Sequence, residues 1–483
     1  MKRTEPKAMS WWASLVPIIS LIVILFLVVR SFGADALGGA SQFALILSAG
    51  IGTAIAMLGY GCPWSRIERA ILNNIRCIGS GILILLLIGT IGGSWMVSGI
   101  VPTMICYGLD IISPTIFLFA VCLICAVVSL MTGSSWTTIA TIGVAMIGIG
   151  DALGYSPAWT AGAIISGAYF GDKISPLSDT TVLASSSAEV PLFEHIRYMM
   201  ITTVPSFIIA LTVFLTASLC HESSSACTAD QTATLLRSTF HISPLLMLVP
   251  AFTIFLIIRK TPAILTLLLS CVAACLAAIL AQPSIIAEIG GGSASTSAEA
   301  MFRGIMTSCF GSTGIHTGDG ALDELIATSG MNGMMPTIML IVCAASFGGV
   351  LDGSGMIQCI TEKLTKRISS RTGMVASTVG TGIFSNMATG DQYLSIILTC
   401  NLFRKLYRDR GYENRLLSRS AEDSATVTSV LIPWNSCGMT QSTVLHVATM
   451  DYLPYCIFNI LSPLMSILIA ATGYKIIKQD HGK

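Results

Sequence analysis

Long runs without a single charge alternate with short polar stretches along this chain, and no other feature constrains its fold as strongly. Apolar segments fall at about 11–30, 40–60, 78–100, 114–131, 132–150, 158–171, 198–219, 244–258, 262–281, 335–351, 373–388, 390–403, 424–443 and 452–474. A bilayer core takes about 20 apolar helical residues to cross, since only helices and closed barrels satisfy their own backbone there. The first run, WWASLVPIISLIVILFLVVR (Trp11 to Arg30), reaches that length and has no small-residue cleavage site in its tail, so it reads as a retained helix. Charged residues are 11% of the 483, against about 25% in soluble domains, too few to clothe a soluble surface. The expectation is an all-α polytopic membrane protein of roughly 10–14 transmembrane or half-membrane helices. Segments too short for a full span predict broken helices or re-entrant hairpins.

The net charge of +1 offers no field for nucleic acid. Basic residues instead cluster at Lys2/Arg3/Lys7, Arg66/Arg69/Arg76, Arg259/Lys260, Lys363/Lys366/Arg367/Arg371, Arg404/Lys405/Arg408/Arg410 and Lys475/Lys478/Lys483. Alternating the segments puts all six clusters on one side, the cytoplasm, together with both termini. The 220–243 and 282–333 stretches then lie outside, and the glycines of the second predict a flexible loop or part of a gate. The 15 cysteines stand mostly alone; Cys122 and Cys125 form a C-x-x-C within an apolar run and read as packing residues. Cys220 and Cys227 flank a polar loop and would pair if it faced an oxidising compartment. Trp136, Trp434, His316 and His446 read as packing or interface residues.

Two stretches break the apolar rule: FGDKISPLSDTT (170–181) and LSRSAEDSATVTSVLIPWN (417–435). A charge at the bilayer centre costs about 2.5–3.5 kcal/mol, so Asp172, Asp179, Asp391, Glu422 and Asp423 must face a hydrated cavity, a partner or a cation. Taken singly, Asp172 beside Lys173 and Glu422 near Arg419 also fit ordinary helix-end ion pairs. Pro176 has no N–H for the carbonyl of Asp172, and Pro433 none for that of Ser429, so a helix broken at either would free carbonyl oxygens. The hydroxyls of Ser175, Ser178, Thr180, Thr181, Ser424 and Thr426 and the amide of Asn435 add further oxygen ligands, the kind a hard cation such as Na⁺ takes. The plainer alternative is helix kinks, with hydroxyls bonding their own backbone. GSSW (133–136) and TGDQ (389–392) set glycine among short polar side chains and read as helix breaks lining the same site. Ser134 and Ser135 fit close helix packing equally well. Burial disfavours the charged carboxylate, so such a site holds either protons or a cation, and alternating access turns that competition into exchange.

The pattern echoes itself. MTGSSWTT (131–138) precedes GDKISPLSDTT, and SNMATGDQ (385–392) precedes the 417–435 stretch. Matching PLSDTTV with SAEDSAT aligns Asp179 with Asp423, and the charge-derived topology runs the two copies in opposite senses, as an inverted repeat requires. The chain divides accordingly into N-terminal helices (1–76), a first transport repeat (77–220), connecting helices with a long loop (221–333) and a second transport repeat with a C-terminal helix (334–483). It contains no G-x-x-x-x-G-K-[ST], H-E-x-x-H or G-x-S-x-G, hence no visible machinery for an ATP-driven pump or a hydrolase. A transporter without a cofactor is expected, not an enzyme.

At GSSW, FGDKISPLSDTTVLAS (170–185), TGDQYLS (389–395) and LSRSAEDSATVTSVLIPWNSCG (417–438) the sequence resembles the NhaC family of sodium/proton antiporters. The resemblance implies a bacterial inner-membrane secondary transporter with inverted repeats that exchanges external H⁺ for internal Na⁺. Some relatives couple the ion to an organic acid or amino acid. It places the functional region at Asp172, Ser175, Asp179 and Thr180 in one half and at Asp391, Glu422, Asp423 and Asn435 in the other. Where other members have a histidine or another residue after the Gly–Asp pair, this chain has Lys173. The expected site has Asp179 and Asp423 approaching from opposite halves to hold Na⁺ in competition with protons, with Asp172, Asp391 and Glu422 tuning them or lining the path. Expected partners are Na⁺, protons and the lipid bilayer. An organic solute whose carboxylate meets Lys173 or a half-helix N-terminus is the alternative, and a homodimer is left open.

Overall fold

A computed structural model describes residues 9–32, 39–220, 226–259, 261–291, 297–315, 326, 328–365 and 370–476. Lys2, Arg3, Lys7, Lys260, His316, Lys366, Arg367, Lys478, Lys483 and the side chain of Cys227 lie outside the described residues, and the Cys220–Cys227 pairing lies there with them. The described residues form helices and turns, with no strand among them.

Among the described residues, seven helices are long and apolar enough to cross a membrane: Trp11–Phe32, Ala40–Gly59, Trp64–Val97, Pro114–Thr132, Leu192–Leu219, Ala263–Ala281 and Gly330–Ser354. Two bent pairs, Ala233–Thr239 with Pro244–Leu256 and Thr449–Tyr455 with Ile457–Thr472, turn by 95° and 57° and bring the number to nine if each is one span. Three more, Pro157–Ile174, Arg371–Thr389 and Gln392–Asp409, have 18, 19 and 18 residues. The first two carry Gly, Ser and Thr where a lipid-facing helix carries Leu, because they pack inside the bundle, where small side chains let backbones approach; the third ends in Arg404, Lys405, Arg408 and Asp409.

The contact between Phe117–Thr132 and Pro157–Ile174 shows how close that approach is. A Cβ on Gly167 would sit 2.1 Å from the carbonyl oxygen of Cys122, and one on Gly171 would sit 2.2 Å from that of Ala126. Both glycines and both carbonyls are spaced four apart, one helical turn, so the two backbones touch along a stripe. Cys122 and Cys125 are buried free thiols on the first helix, in keeping with a packing role.

Of the 282–333 stretch, expected as a flexible loop or part of a gate, residues 292–296, 316–325 and 327 lie outside the described residues. It holds helices Pro283–Ile289 and Ala298–Phe310, the second capped by Ser297, whose hydroxyl accepts the Ala300 N–H. Gly290 and Gly304 are contact points: an added Cβ would lie 2.0 Å from the carbonyl oxygen of Ala300 and 1.9 Å from that of Ile286. The 220–243 stretch likewise carries a helix, Ala226–Thr239.

Overpacking of a closed interior costs about 1–3 kcal/mol, and a backbone carbonyl cannot rotate away as a side chain can. Gly171→Val is therefore expected to lower the unfolding temperature in detergent clearly, whereas Gly50→Val, at a position with open space around it, leaves it unchanged. Equal unfolding curves for the two variants would contradict the packing described.

Candidate functional site

Two helix breaks are built from the same parts. Phe117–Thr132 ends at Gly133, in the left-handed region (φ 65°), and Ser134 caps the next helix, Ser135–Thr138, by accepting the Thr137 N–H. Arg371–Thr389 ends at Gly390 (φ 67°), and Asp391 caps Gln392–Asp409 by accepting the Leu394 N–H. In each, the threonine before the glycine bridges the gap. Thr132 Oγ1 accepts the Ser134 N–H and donates to the Ser134 carbonyl, both at 3.1 Å. Thr389 Oγ1 does the same for Asp391 at 3.3 and 3.1 Å. The motif is T-G-[S/D], and its glycine takes a conformation that costs a side chain about 1–2 kcal/mol.

Each break packs on a proline turn. A Cβ on Gly133 would meet Leu177 at 2.6 Å, and one on Gly390 would lie 3.3 Å from the Trp434 carbonyl oxygen. Leu177 follows Pro176 and precedes Ser178, which caps Asp179–Ser187; Trp434 follows Pro433 and precedes Asn435, which caps Ser436–Leu445. The structural register is thus Pro176 with Pro433 and Ser178 with Asn435. This corrects the expected alignment of Asp179 with Asp423: chance identity in short polar strings outweighed the proline turns that the chain repeats. The expectation of free carbonyls at the prolines is corrected too. The Asp172 carbonyl accepts the Ser175 N–H at 3.1 Å and the Ser429 carbonyl accepts that of Ile432 at 3.3 Å, because each turn tightens before its proline.

The first break and its proline turn enclose a cavity of about 310 Å³, closed on other sides by Thr266, Gln392 and Tyr393. Asp172 lies at its buried end, 5% exposed. Its Oδ2 accepts the Ser135 hydroxyl at 2.7 Å and the Ser135 N–H at 3.2 Å, so the carboxylate sits on the N-terminus of the half-helix. Its Oδ1 has no hydrogen-bond partner among the described residues. Asp179 is exposed on the same cavity and accepts the Tyr393 hydroxyl at 2.9 Å. Ser134, Ser135 and Thr137 line it as well. From the other half of the chain Asp391, 2% exposed, accepts from Ser436 Oγ at 3.3 Å, which ties the second break to its own proline turn.

Glu422 and Asp423 lie elsewhere, in a fully buried π-helical turn, Glu422–Thr426. Lys173, also fully buried, turns away from Asp172 and forms an ion pair with Asp423. Ser462 and Thr202 each donate to Asp423 Oδ1 at 3.2 Å, and Lys173 donates to Ser462 at 2.9 Å. Arg419 stands 4.0 Å from Asp423 Oδ2 and 4.8 Å over the Tyr198 ring. Asp179 and Asp423 therefore share no partner, and the expected pairing of the two is corrected: Asp423 is taken by two cations of the core. Neither carboxylate oxygen of Glu422 has a hydrogen bond among the described residues.

Several expected ligands are committed to structure. Ser175 Oγ donates to the Leu130 carbonyl at 2.8 Å, and Ser424 Oγ to that of Ser420 at 2.7 Å. Asn435 accepts the Cys437 N–H at 3.0 Å and donates to the Asn386 carbonyl at 3.2 Å. Thr180 Oγ1 is 2.9 Å from Ser178 Oγ.

The sequence model of the Na⁺/H⁺ antiporter family matches residues 6–190 and 167–474, and so both breaks and both proline turns. The chain belongs to that family. Its similarity to the Na⁺/H⁺ antiporter NhaC of Alkalihalophilus pseudofirmus is 38% identity over 417 residues, 86% of this chain and 87% of the relative. The NhaC antiporter of Bacillus subtilis is 36% identical over 86% of this chain and 88% of its own length. The arginine/ornithine antiporter ArcD of Halobacterium salinarum is 32% identical over 98% and 94%.

In this antiporter-family chain, sequence reasoning passed over Tyr393, Thr202 and Ser462. Tyr393 adjoins TGDQ and was within reach of the motif; Thr202 and Ser462 are isolated hydroxyls in apolar helices and carry no signal by themselves. The ion pair expected of Arg419 with Glu422 is corrected: Arg419 stands by Asp423, four residues on, at the helical pairing distance. Breaking a buried ion pair costs about 3–5 kcal/mol. Lys173→Met is expected to destabilise by that much in detergent unfolding. Lys173→Met with Asp423→Asn should cost less than the sum of the single changes; strict additivity would mean the pair contributes nothing.

Proposed function

We propose that the chain is a secondary Na⁺/H⁺ antiporter in which Na⁺ and protons compete for Asp172 at the floor of the cavity. One observation carries the reading: Asp172 lines a polar cavity and is held by a helix N-terminus through one oxygen, while its other oxygen is buried with no hydrogen-bond partner among the described residues. A carboxylate oxygen with hydroxyls of Ser134 and Thr137 and the Gln392 amide on the same cavity is a ligand set for a hard monovalent cation. Asp179, at the exposed side, concentrates cations at the entry, and Tyr393 orients it. Glu422 supplies a second buried carboxylate whose oxygens have no hydrogen bond among the described residues. Alternating access follows from the two capped breaks, one in each of the repeats 77–220 and 334–483, moving in opposite senses. Both termini and the basic clusters then lie in the cytoplasm of a bacterial cell, with the chain in its inner membrane.

A second reading, exchange coupled to an organic solute, rests on the cavity volume of about 310 Å³, at the lower end of small-ligand pockets, about 300–1,000 Å³. An amino acid of the kind named for the Halobacterium relative is its natural probe. Lys173 does not serve as the receptor for a solute carboxylate, because its ammonium is bound to Asp423.

The test is proton flux in proteoliposomes carrying a pH dye, started by a Na⁺ jump at clamped voltage. Wild type is expected to respond, Asp172→Asn to be silent though folded, and Asp179→Asn to need several-fold more Na⁺ for half-maximal flux. Undiminished flux in Asp172→Asn would sink the proposed site. A response to arginine in place of Na⁺ would favour the second reading.

A further inference from the structure

Away from the cavity, three cysteines that the transport reading does not use come together. Cys271 and Cys275 lie one turn apart on Ala263–Ala281, and Cys309 comes from Ala298–Phe310. Their sulfurs all lie within 4.8 Å of one another, with Cys275 and Cys309 at 3.7 Å, and all three are free thiols. A three-coordinate centre with bonds of about 2.3 Å needs sulfurs roughly 3.5–4 Å apart, which small side-chain rotations supply here. The helices are held in place independently of the thiols. A Cβ on Gly93 would sit 1.8 Å from the Ser308 carbonyl oxygen, so Gly79–Val97 and Ala298–Phe310 touch next to Cys309.

We propose that Cys271, Cys275 and Cys309 form a binding site for a trivalent thiophile, the class of arsenite and antimonite. The ligand set is all sulfur, which selects soft ions over Na⁺, Mg²⁺ or Ca²⁺. Zn²⁺ asks for a fourth ligand, and among the described residues the cluster of His, Cys, Asp and Glu offers these three. Charge decides among soft ions. Three thiolates around Cu⁺ carry a net charge of −2 and around Cd²⁺ −1, a heavy cost in an apolar helix bundle. Arsenous acid reacts without net charge: As(OH)₃ and three S–H groups give As(S-Cys)₃ and three waters, each As–O bond replaced by an As–S bond and each thiol proton leaving on a hydroxide.

The site bears on transport through Ala263–Ala281, whose first turn contributes Ala263 and Thr266 to the cavity wall. Arsenic bridging Cys309 to Cys271 and Cys275 fastens that wall helix to Ala298–Phe310 and so slows exchange. This last consequence rests on the antiport reading; the binding does not.

Binding is tested on the purified full-length protein, reduced and then exposed to sodium arsenite, by arsenic content and intact mass after desalting. One arsenic per chain is expected, with protection of Cys275 and Cys309 from maleimide in the wild type. Cys271→Ser, Cys275→Ser and Cys309→Ser should each lose retained arsenic at least tenfold, while Cys122→Ser keeps it. No uptake by reduced wild type, uptake that survives the three substitutions, or preferential retention of Cu⁺ or Cd²⁺ over arsenite would overturn the proposal. In proteoliposomes, inhibition of Na⁺-driven flux by arsenite, absent in Cys309→Ser, is expected. Binding without inhibition would leave the site standing and remove the clamp.

Discussion

A backbone that leaves its helix inside a bilayer finds no water to bond, and this constraint shapes the rest of the molecule. At Thr132–Ser134 and Thr389–Asp391 the chain meets it with its own side chains, one threonine hydroxyl serving both an N–H and a carbonyl across each break. The solution has a chemical consequence. Each break exposes the N-terminus of a half-helix within the protein, and a carboxylate settles on it: Asp172 on Ser135 in one half, Asp391 as the cap itself in the other. Closing the second break against its turn, Ser436 N–H reaches the Gly390 carbonyl at 2.8 Å. Polar groups thus gather where the backbone is interrupted, and the cavity forms between them.

Adjacent residues on a helix point about 100° apart, and the Gly–Asp–Lys string at 171–173 uses all three directions. Gly171 lets Pro157–Ile174 touch Phe117–Thr132, Asp172 faces the cavity, and Lys173 reaches Asp423 in the core. One helix therefore joins three environments. Lys173 ties it to Asp423 in the π-helical turn at Glu422–Thr426 and to Ser462 on Ile457–Thr472, and Asp423 in turn accepts from Thr202 on Leu192–Leu219. A π turn widens the helix locally and is frequent at functional sites. Here it places Glu422 and Asp423 side by side in the interior, Asp423 paired with Lys173 and Glu422 without a hydrogen bond among the described residues.

The membrane class, the segments and the two polar clusters were legible in the sequence, because each rests on composition or on a local rule. The prolines at 176 and 433 and the glycines at 133 and 390 marked the breaks, since no neighbouring residue changes what Pro and Gly do to a backbone. Gly290 and Gly304 were not legible as contact points, because glycine serves mobility and close packing alike, and only a facing backbone distinguishes them. Ser175, Ser424 and Asn435 misled for a similar reason: a hydroxyl or amide shows its donor and acceptor in the sequence, but not which neighbour takes them.

What the amino-acid sequence determined by itself was that this chain must cross a membrane, break its helices at defined places and bury carboxylates near the breaks. The energies behind those conclusions are local: the cost of a charge in lipid and of a missing backbone bond. Only the tertiary structure decided which carboxylate faces the cavity and which faces a lysine. Asp172, Asp179 and Asp423 carry the same functional group, and what separates them is the identity of residues 37 to 250 positions away in the chain. Electrostatic and hydrogen-bond energies fall off with distance in space, and the sequence holds no measure of that distance until the helices have packed.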